Sequence, residues 1–389
     1  MPMGTISRDG LVECHDVCLL LDAKARCESG NRLELLSSGE EFVPAMLASI
    51  NTARRSVDLE LYRVDPGHLW RMFSSALAGA AERQVHVRVL VDSFGSRRMM
   101  EADWREVLRS GVDVRLTTSV VKSLLTKGTT RRDHRKILVV DSEVGFTGGM
   151  SVDDTFFRPL NESTWRESMV KARGPVVATM QHVFDAAWAE RDGGGEVGAV
   201  LFPAVREGSS SARLILSTPR QPCGEQLFLS AIRGASISVW ITNPFVVPSK
   251  EISAAVISAA RHSVDVRLLV PGRFHRFPMV RDAMRGFYDA FLSAGVRLFE
   301  YEAAMLHVKT IVVDGRWASV GSFNLDPRSF TSNDEAAIAA CDCQFAEAVA
   351  AAFTKDCESA QEVLLARWRE RGFVPRFREV AVKLLRSYL

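Results

Sequence analysis

Apolar and polar residues alternate along Ser56-Val-Asp-Leu-Glu-Leu-Tyr62, the period of a strand with one face toward a core. Before it, Phe42 to Ile50 has the spacing of an amphipathic helix. After it come a helical run from Leu69 to Glu82 and an apolar strand from Val85 to Val91 that ends at Asp92. The same succession returns later. Gln226 to Ile232 predicts a helix, Ser236 to Thr242 a strand, Ile252 to Ala260 a helix, and Val264 to Val270 a strand that ends at Pro271. Both series continue with a short strand after a helix, Gly111 to Arg115 and Gly295 to Phe299. A buried strand then follows in each, Lys136 to Val140 and Lys309 to Val313. Strands alternating with helices predict an α/β chain. Its expected form is two fused halves related by a pseudo-twofold axis, each a mixed, mostly parallel sheet with helices on both faces.

The 389 residues exceed what one core usually serves, which agrees with two halves. The expected boundaries are an N-terminal extension over 1–34, a first half over 35–191 and a linker over 192–211. A second half follows over 212–366, then a tail over 367–389. Glycines and serines between Asp192 and Ser211 suit a flexible connection.

The repeat carries chemistry at one place. His134-Arg-Lys136 is followed by Asp141 and then Gly148-Gly149-Met-Ser151. His307-Val-Lys309 is followed by Asp314 and then Gly321-Ser322-Phe-Asn324, and every matched position is offset by 173 residues. On an extended chain, positions i and i+2 share a face, so each His projects beside its Lys. If the halves face each other, two imidazoles and two ammonium groups surround one small volume. Such a volume attracts an anion such as a phosphodiester. Histidine titrates near neutrality, so one ring can attack phosphorus while the other protonates the leaving oxygen. The lysines would stabilise charge on the non-bridging oxygens.

Ser151, Ser322 and Asn324 can donate hydrogen bonds to phosphate, and the neighbouring glycines can let backbone approach the site. Asp141 and Asp314 complete the motif. Five residues past the lysines, they are expected to fix a turn or pair with a basic group. The imidazoles also need carboxylates at their far nitrogens. Glu335, 28 residues after His307, and Glu167, 33 after His134, are the candidates. Neither the motif nor the seven cysteines show metal-ligand spacing, so metal-independent chemistry without a cofactor is expected.

A net charge of +2 argues against nucleic acid held by bulk charge. No stretch reaches the roughly 18 apolar residues needed to cross a bilayer, and the first ten residues lack the apolar core of a signal peptide. The tail offers peripheral contact instead. Arg367, Arg369, Arg371, Arg376, Arg378, Lys383 and Arg386 outnumber Glu370 and Glu379, and Phe373, Phe377, Val380, Leu384 and Tyr388 recur at helical spacing. Such a helix either anchors at an anionic lipid surface or docks its stripe on the protein. Gly272-Arg-Phe-His-Arg-Phe277, and Arg131 with Arg132, are candidates for a pocket mouth.

These residues resemble the phospholipase D superfamily, whose signature is the paired H-x-K-x4-D motif. The resemblance runs from about Leu35 to the C-terminus and is strongest to the bacterial cardiolipin synthase branch. Asp92-Ser-Phe-Gly95-Ser96, Asn243-Pro-Phe-Val-Val-Pro248 and Gly321-Ser-Phe-Asn-Leu-Asp-Pro-Arg-Ser329 carry it beyond the motif. It implies one shared site, a phosphohistidine intermediate and transfer of a phosphatidyl group between phospholipids, with hydrolysis of phospholipid by water as the alternative and nuclease action as the lesser one. Phosphatidylglycerol, or phosphatidylethanolamine, would be the substrate at the inner face of the cell membrane. By the same analogy His134 attacks, while His307 acts first as acid and then as base. Two positions depart from the family: Ser151 stands where Asn is usual, and Met169 replaces the polar end of a Trp-x-Asp-x-His pattern.

Overall fold

A computed structural model describes residues 27–117, 131–157, 164–190 and 205–372. In the first half the strands are β1 (Glu28–Leu36), β2 (Ser56–Leu61), β3 (His86–Val91), β4 (Asp113–Leu116), β5 (Arg132–Asp133), β6 (Ile137–Val140), β7 (Val144–Gly148) and β8 (Met169–Arg173). The second half holds β9 (Ser210–Ser217), β10 (Ser238–Thr242), β11 (Asp265–Pro271), β12 (Arg297–Tyr301), β13 (Thr310–Val313), β14 (Trp317–Gly321), β15 (Asn333–Cys341) and β16 (Ala360–Glu362). The helices are α1 (Gly39–Thr52), α2 (His68–Glu82), α3 (Glu101–Arg109), α4 (Pro175–Ala189), α5 (Gly224–Gly234), α6 (Lys250–Arg261), α7 (Pro278–Arg285), α8 (Tyr288–Ala294), α9 (Pro327–Thr331), α10 (Cys343–Cys357) and α11 (Leu365–Arg369).

The expected mixed α/β architecture is present, with two differences in detail. The halves do not keep separate sheets: one sheet runs β16-β12-β11-β10-β13-β14-β15-β9-β1-β8-β7-β6-β2-β3-β4. Its middle is the antiparallel β1–β9 pair, which sets Glu28 opposite Ala212. Outward from that pair the two arms match strand for strand, as a pseudo-twofold axis requires, except that β16 extends the second-half arm by one. Parallel pairing is also less common than expected. Between the strands described it is confined to β2–β3–β4, β10–β11–β12 and the short β5–β15 pair, with isolated parallel bridges besides. The hairpins β6–β7 and β13–β14 make the centre antiparallel, because short connections can join only antiparallel neighbours.

Alternation along the inner strands separates the cores. In β6, Leu138 and Val140 face one apolar cluster with α1 and α2, while Ile137 and Val139 face another under α4 and α10. In β13, Ile311 and Val313 join a cluster with α5, α6 and α8, while Val312 joins the shared one under α4 and α10. Both faces of these strands are buried, which explains their uninterrupted apolar sequences.

Residues 28–34, read from the sequence as part of an extension, lie in β1 and pair with β8 as well as β9. Their polar side chains hide the signal: Asn31 is buried and spans Ser210 on β9 and the first turn of α4. At the other boundary, β9 begins at Ser210, within the segment read as a linker, of which residues 192–204 lie outside the described residues. The tail beyond 372 lies outside them too. Its start is α11, where Trp368 is buried against Tyr288 with ring centroids 4.8 Å apart.

Candidate active site

Each His-x-Lys segment sits just before a central strand, β6 or β13, and each is docked on backbone from the opposite half. The His134 amide donates to the Asp334 carbonyl at 2.9 Å, continuing the β5–β15 pairing. The His307 amide donates to the Arg166 carbonyl at 2.8 Å, beside a bridge between Arg166 and Leu306. The next residue on each docking strip is a glutamate. His134 Nδ1 meets Glu335 Oε2 at 2.8 Å, and His307 Nδ1 meets Glu167 Oε2 at 2.5 Å. Both candidate glutamates therefore brace imidazoles, each across the pseudo-twofold axis.

With Nδ1 occupied, each ring offers Nε2 to the surroundings. The His134 and His307 side chains keep 11% and 14% exposure, so the rings are almost enclosed but reachable. Both line one cavity of about 390 Å³ with Tyr62, Ser151, Trp165 and Asn324. Tyr62 meets the His134 ring edge-on at 4.8 Å, and Trp165 lies 5.4 Å from the His307 ring.

The two glutamates are held differently. Glu335 is fully buried and accepts from the Ser322 hydroxyl, from Ser329 Oγ at 2.5 Å and from Asn333 Nδ2 at 3.1 Å. Glu167, equally buried, accepts from the Ser168 amide at 2.9 Å and shares Oε2 with Lys309 Nζ at 3.3 Å. A side chain at Gly149 would place its Cβ 2.1 Å from Glu167 Oε2, so this glycine makes room for the carboxylate.

Charge follows burial. Desolvation lowers His134, Glu335 opposes that, and Lys136 adds to it. Desolvation, then Lys309, takes His307 down to about 3 against the pull of Glu167. Both shifts favour the neutral imidazole. Burial also lowers both ammonium groups, Lys136 to about 7. Burial alone would raise the two glutamates, but Lys309 and His307 hold Glu167 below its usual range, and His134 with Lys136 does so for Glu335.

Other motif positions have structural tasks. Asp141 is outside the cavity: its carboxylate accepts from the amides of Arg54, Arg55 and Ser56 ahead of β2. Asp314 does the same for Ser236, Ile237 and Ser238 ahead of β10. Both have positive φ, 54° and 52°, in the tight hairpin turns after β6 and β13. They fix turns, as their spacing suggested. Ser322, expected on phosphate, points away from the cavity at Glu335 and Ala336. Gly148 and Gly321 give close approach to the neighbouring strands β8 and β15, where a Cβ would collide, rather than to a ligand. Ser151 and Asn324 do line the cavity, and Asn324 Oδ1 is buried without a partner. Met169 fills the first-half core. Of the pocket-mouth candidates, Arg132, Arg276 and Phe277 line the cavity, whereas Arg131 is tied to Asp334 at 2.7 Å and to Glu190 at 2.9 Å.

The sequence reading missed Tyr62 and Trp165 as cavity walls. It also missed the buried Glu60–Arg135–Asp133 cluster behind His134, in which Arg135 lies 2.8 Å from Glu60 and 3.0 Å from Asp133. Glu60 alternates with apolar residues as a solvent-facing strand residue would, and nothing local marks it as buried.

Two braced imidazoles line one cavity, and behind them the buried Lys136 and Lys309 each donate to the carbonyl of their own histidine, the arrangement of a phospholipase D-type centre. The family model described as "Cardiolipin synthase, PLD-like domain" matches residues 46–188 and 228–357. Cardiolipin synthase A of Yersinia pseudotuberculosis is 32% identical over 364 residues, covering 90% of this chain and 74% of its own. Cardiolipin synthase of Alkalihalophilus pseudofirmus is 30% identical over 362 residues, covering 92% and 72%. In fold, the chain is similar to phosphatidylserine synthase of Haemophilus influenzae, with a TM-score of 0.66, 14% identity and 92% of each chain covered. It is also similar to part of the polyphosphate kinase of Porphyromonas gingivalis, with a TM-score of 0.57, 13% identity and coverage of 92% and 53%. The chain belongs to the phospholipase D-like cardiolipin synthase family, and is an enzyme of the phospholipid phosphatidyltransferase class.

Proposed function

We propose that this enzyme makes cardiolipin or a closely related lipid by moving a phosphatidyl group from one phospholipid to the headgroup hydroxyl of another, phosphatidylglycerol. One observation carries the reading: two imidazoles, each held at Nδ1 by a buried glutamate from the other half, line the same cavity. In the first step His134 Nε2 attacks phosphorus, the N–P bond forms, and the P–O bond to the donor headgroup breaks. His307 gives its proton to the leaving oxygen. In the second step the acceptor hydroxyl attacks the phosphohistidine. Its proton passes to His307, the new P–O bond forms and the N–P bond breaks.

A neutral His134 suits attack, and Glu335 stabilises the positive charge the ring gains. His307 must carry a proton, although burial and Lys309 both disfavour it. A phosphodiester in the cavity adds negative charge beside the ring, so the substrate itself loads the acid. Lys136 and Lys309 balance the reacting phosphate, with Ser151 and Asn324 as hydrogen-bond partners.

Among the described residues no helix is long and apolar enough to cross a membrane. The enzyme meets its lipids peripherally, at the inner face of the membrane in this reading. The test is incubation with phosphatidylglycerol vesicles. Cardiolipin and released glycerol are expected. Phosphatidic acid alone would make water the acceptor, and no product would remove the reading.

A further inference from the structure

Besides the buried lysine that follows each histidine, arginines line the cavity: Arg63 and three others, Arg132, Arg276 and Arg328. Among the described residues none of the three is ion-paired with a carboxylate. Their neighbours differ. Arg63, on the same wall, lies 3.2 Å from Asp153, and Arg131 is tied to Asp334 and Glu190. Arg132 is half-buried, Arg276 and Arg328 reach solvent, and the nearby carboxylate that feels Arg328 is Asp326 on the cavity wall, so the wall keeps an excess of positive charge that an anion would balance.

Two of the three belong to the His134 side. The Arg132 guanidinium lies 3.9 Å from the Phe94 ring centroid, and its buried Nε has no acceptor among the described residues. Its register partner across the β5–β15 pair is Asn333, which also lines the cavity. Arg328, in the first turn of α9, reaches the same wall. Burial raises the Tyr62 hydroxyl, and the charges of Arg132 and Arg328 both oppose it, so both lie near the tyrosine that packs on His134.

We propose that Arg132 and Arg328 form a second phosphate site that positions the acceptor. Resting on the phosphatidyl-transfer reading, this makes the preferred acceptor an alcohol that itself bears a phosphate, and thereby disfavours water and neutral alcohols. The guanidinium plane suits two-point contact with phosphate oxygens, and Phe94 holds the Arg132 plane in place.

The test reads how one covalent intermediate divides between acceptors. Phosphatidylglycerol vesicles are supplied with 1-butanol, and in a second arm with glycerol phosphate as well. The products compared are cardiolipin, phosphatidylbutanol and the glycerol phosphate adduct. Their ratio is set after the intermediate forms, so a partly unfolded or slow variant does not change it. In the Arg132→Gln/Arg328→Gln double variant, cardiolipin relative to phosphatidylbutanol should fall about tenfold, the size expected for lost charge-assisted contacts. A parallel fall of the glycerol phosphate adduct assigns the site to phosphate alone; a fall confined to cardiolipin assigns it to the lipid headgroup. If the double variant forms no product, the ratio is read on Arg328→Gln, whose side chain is exposed. An unchanged ratio overturns the second site while leaving the transfer reading intact. Wild-type enzyme that forms none of the three products overturns both.

Discussion

The two half-sites share an outline and differ in what stands behind each histidine. Behind His134, Glu335 is held by two hydroxyls and an amide, all neutral donors. Behind His307, Glu167 is divided between the imidazole and the Lys309 ammonium. The middle residue of each His-x-Lys differs as well: Arg135 is locked in a buried ionic cluster, whereas Val308 packs with Leu306, Phe299 and Phe353. Gly149 and Ser322 occupy matched positions, yet one makes room for a glutamate and the other bonds to one. Duplication preserved the brace and altered how it is electrically loaded. A carboxylate serving one imidazole supports positive charge on that ring. A carboxylate shared with an ammonium supports less, and after burial the Lys309 charge is what most disfavours a proton on His307.

The largest expected effect comes from removing the rings. His134→Ala and His307→Ala should each lower turnover by about 10³-fold or more, measured as cardiolipin formed from phosphatidylglycerol. The comparison sharpens with a donor whose leaving group needs no proton, such as a nitrophenyl phosphodiester. His307→Ala should regain release of that leaving group, and His134→Ala should not. Equal rescue of both variants would remove the division of roles.

Removing the braces comes next. Glu335→Gln and Glu167→Gln should each cost about 10- to 100-fold, the usual scale for groups that orient a reacting ring. Glu167→Gln should be the more damaging, because Lys309 loses its carboxylate in the same step. A larger loss from Glu335→Gln would reverse the proposed asymmetry.

The smallest effect is one of pH. Lys136 makes no ion pair comparable to that of Lys309 with Glu167, and burial places it at about 7. Its charge is present below that pH and fades above it. The KM for an anionic donor should therefore rise a few-fold as pH climbs from about 7 toward 9, a window following from the lowered ammonium. A KM that is flat across this range would mean that Lys136 stays charged or does not meet the donor.

Much of this comparison was legible before any coordinates. The constant offset between motifs announces two halves and one chemistry, and the apolar runs of β6 and β13 announce strands buried on both faces. The crossing of the glutamates was not legible. Glu335 is 201 residues from His134 and Glu167 is 140 from His307, and no periodicity spans such separations. Residue chemistry alone nominated them. The role of β1 was hidden because its neighbours, and not its own composition, make it a central strand. The pull of Asp141 and Asp314 away from the cavity was readable from spacing, since five residues along a strand and turn carry a side chain well past the site.

The central claim is that both halves serve one phosphorus, with His134 taking it. The most direct measurement is to mix His307→Ala enzyme with an activated phosphatidyl donor, quench under alkaline denaturing conditions that preserve phosphohistidine, and locate the added mass by peptide sequencing. The account predicts a phosphatidyl group on His134 and none at any other histidine. The same adduct on another residue, or rapid product release with no adduct on the enzyme, would contradict it.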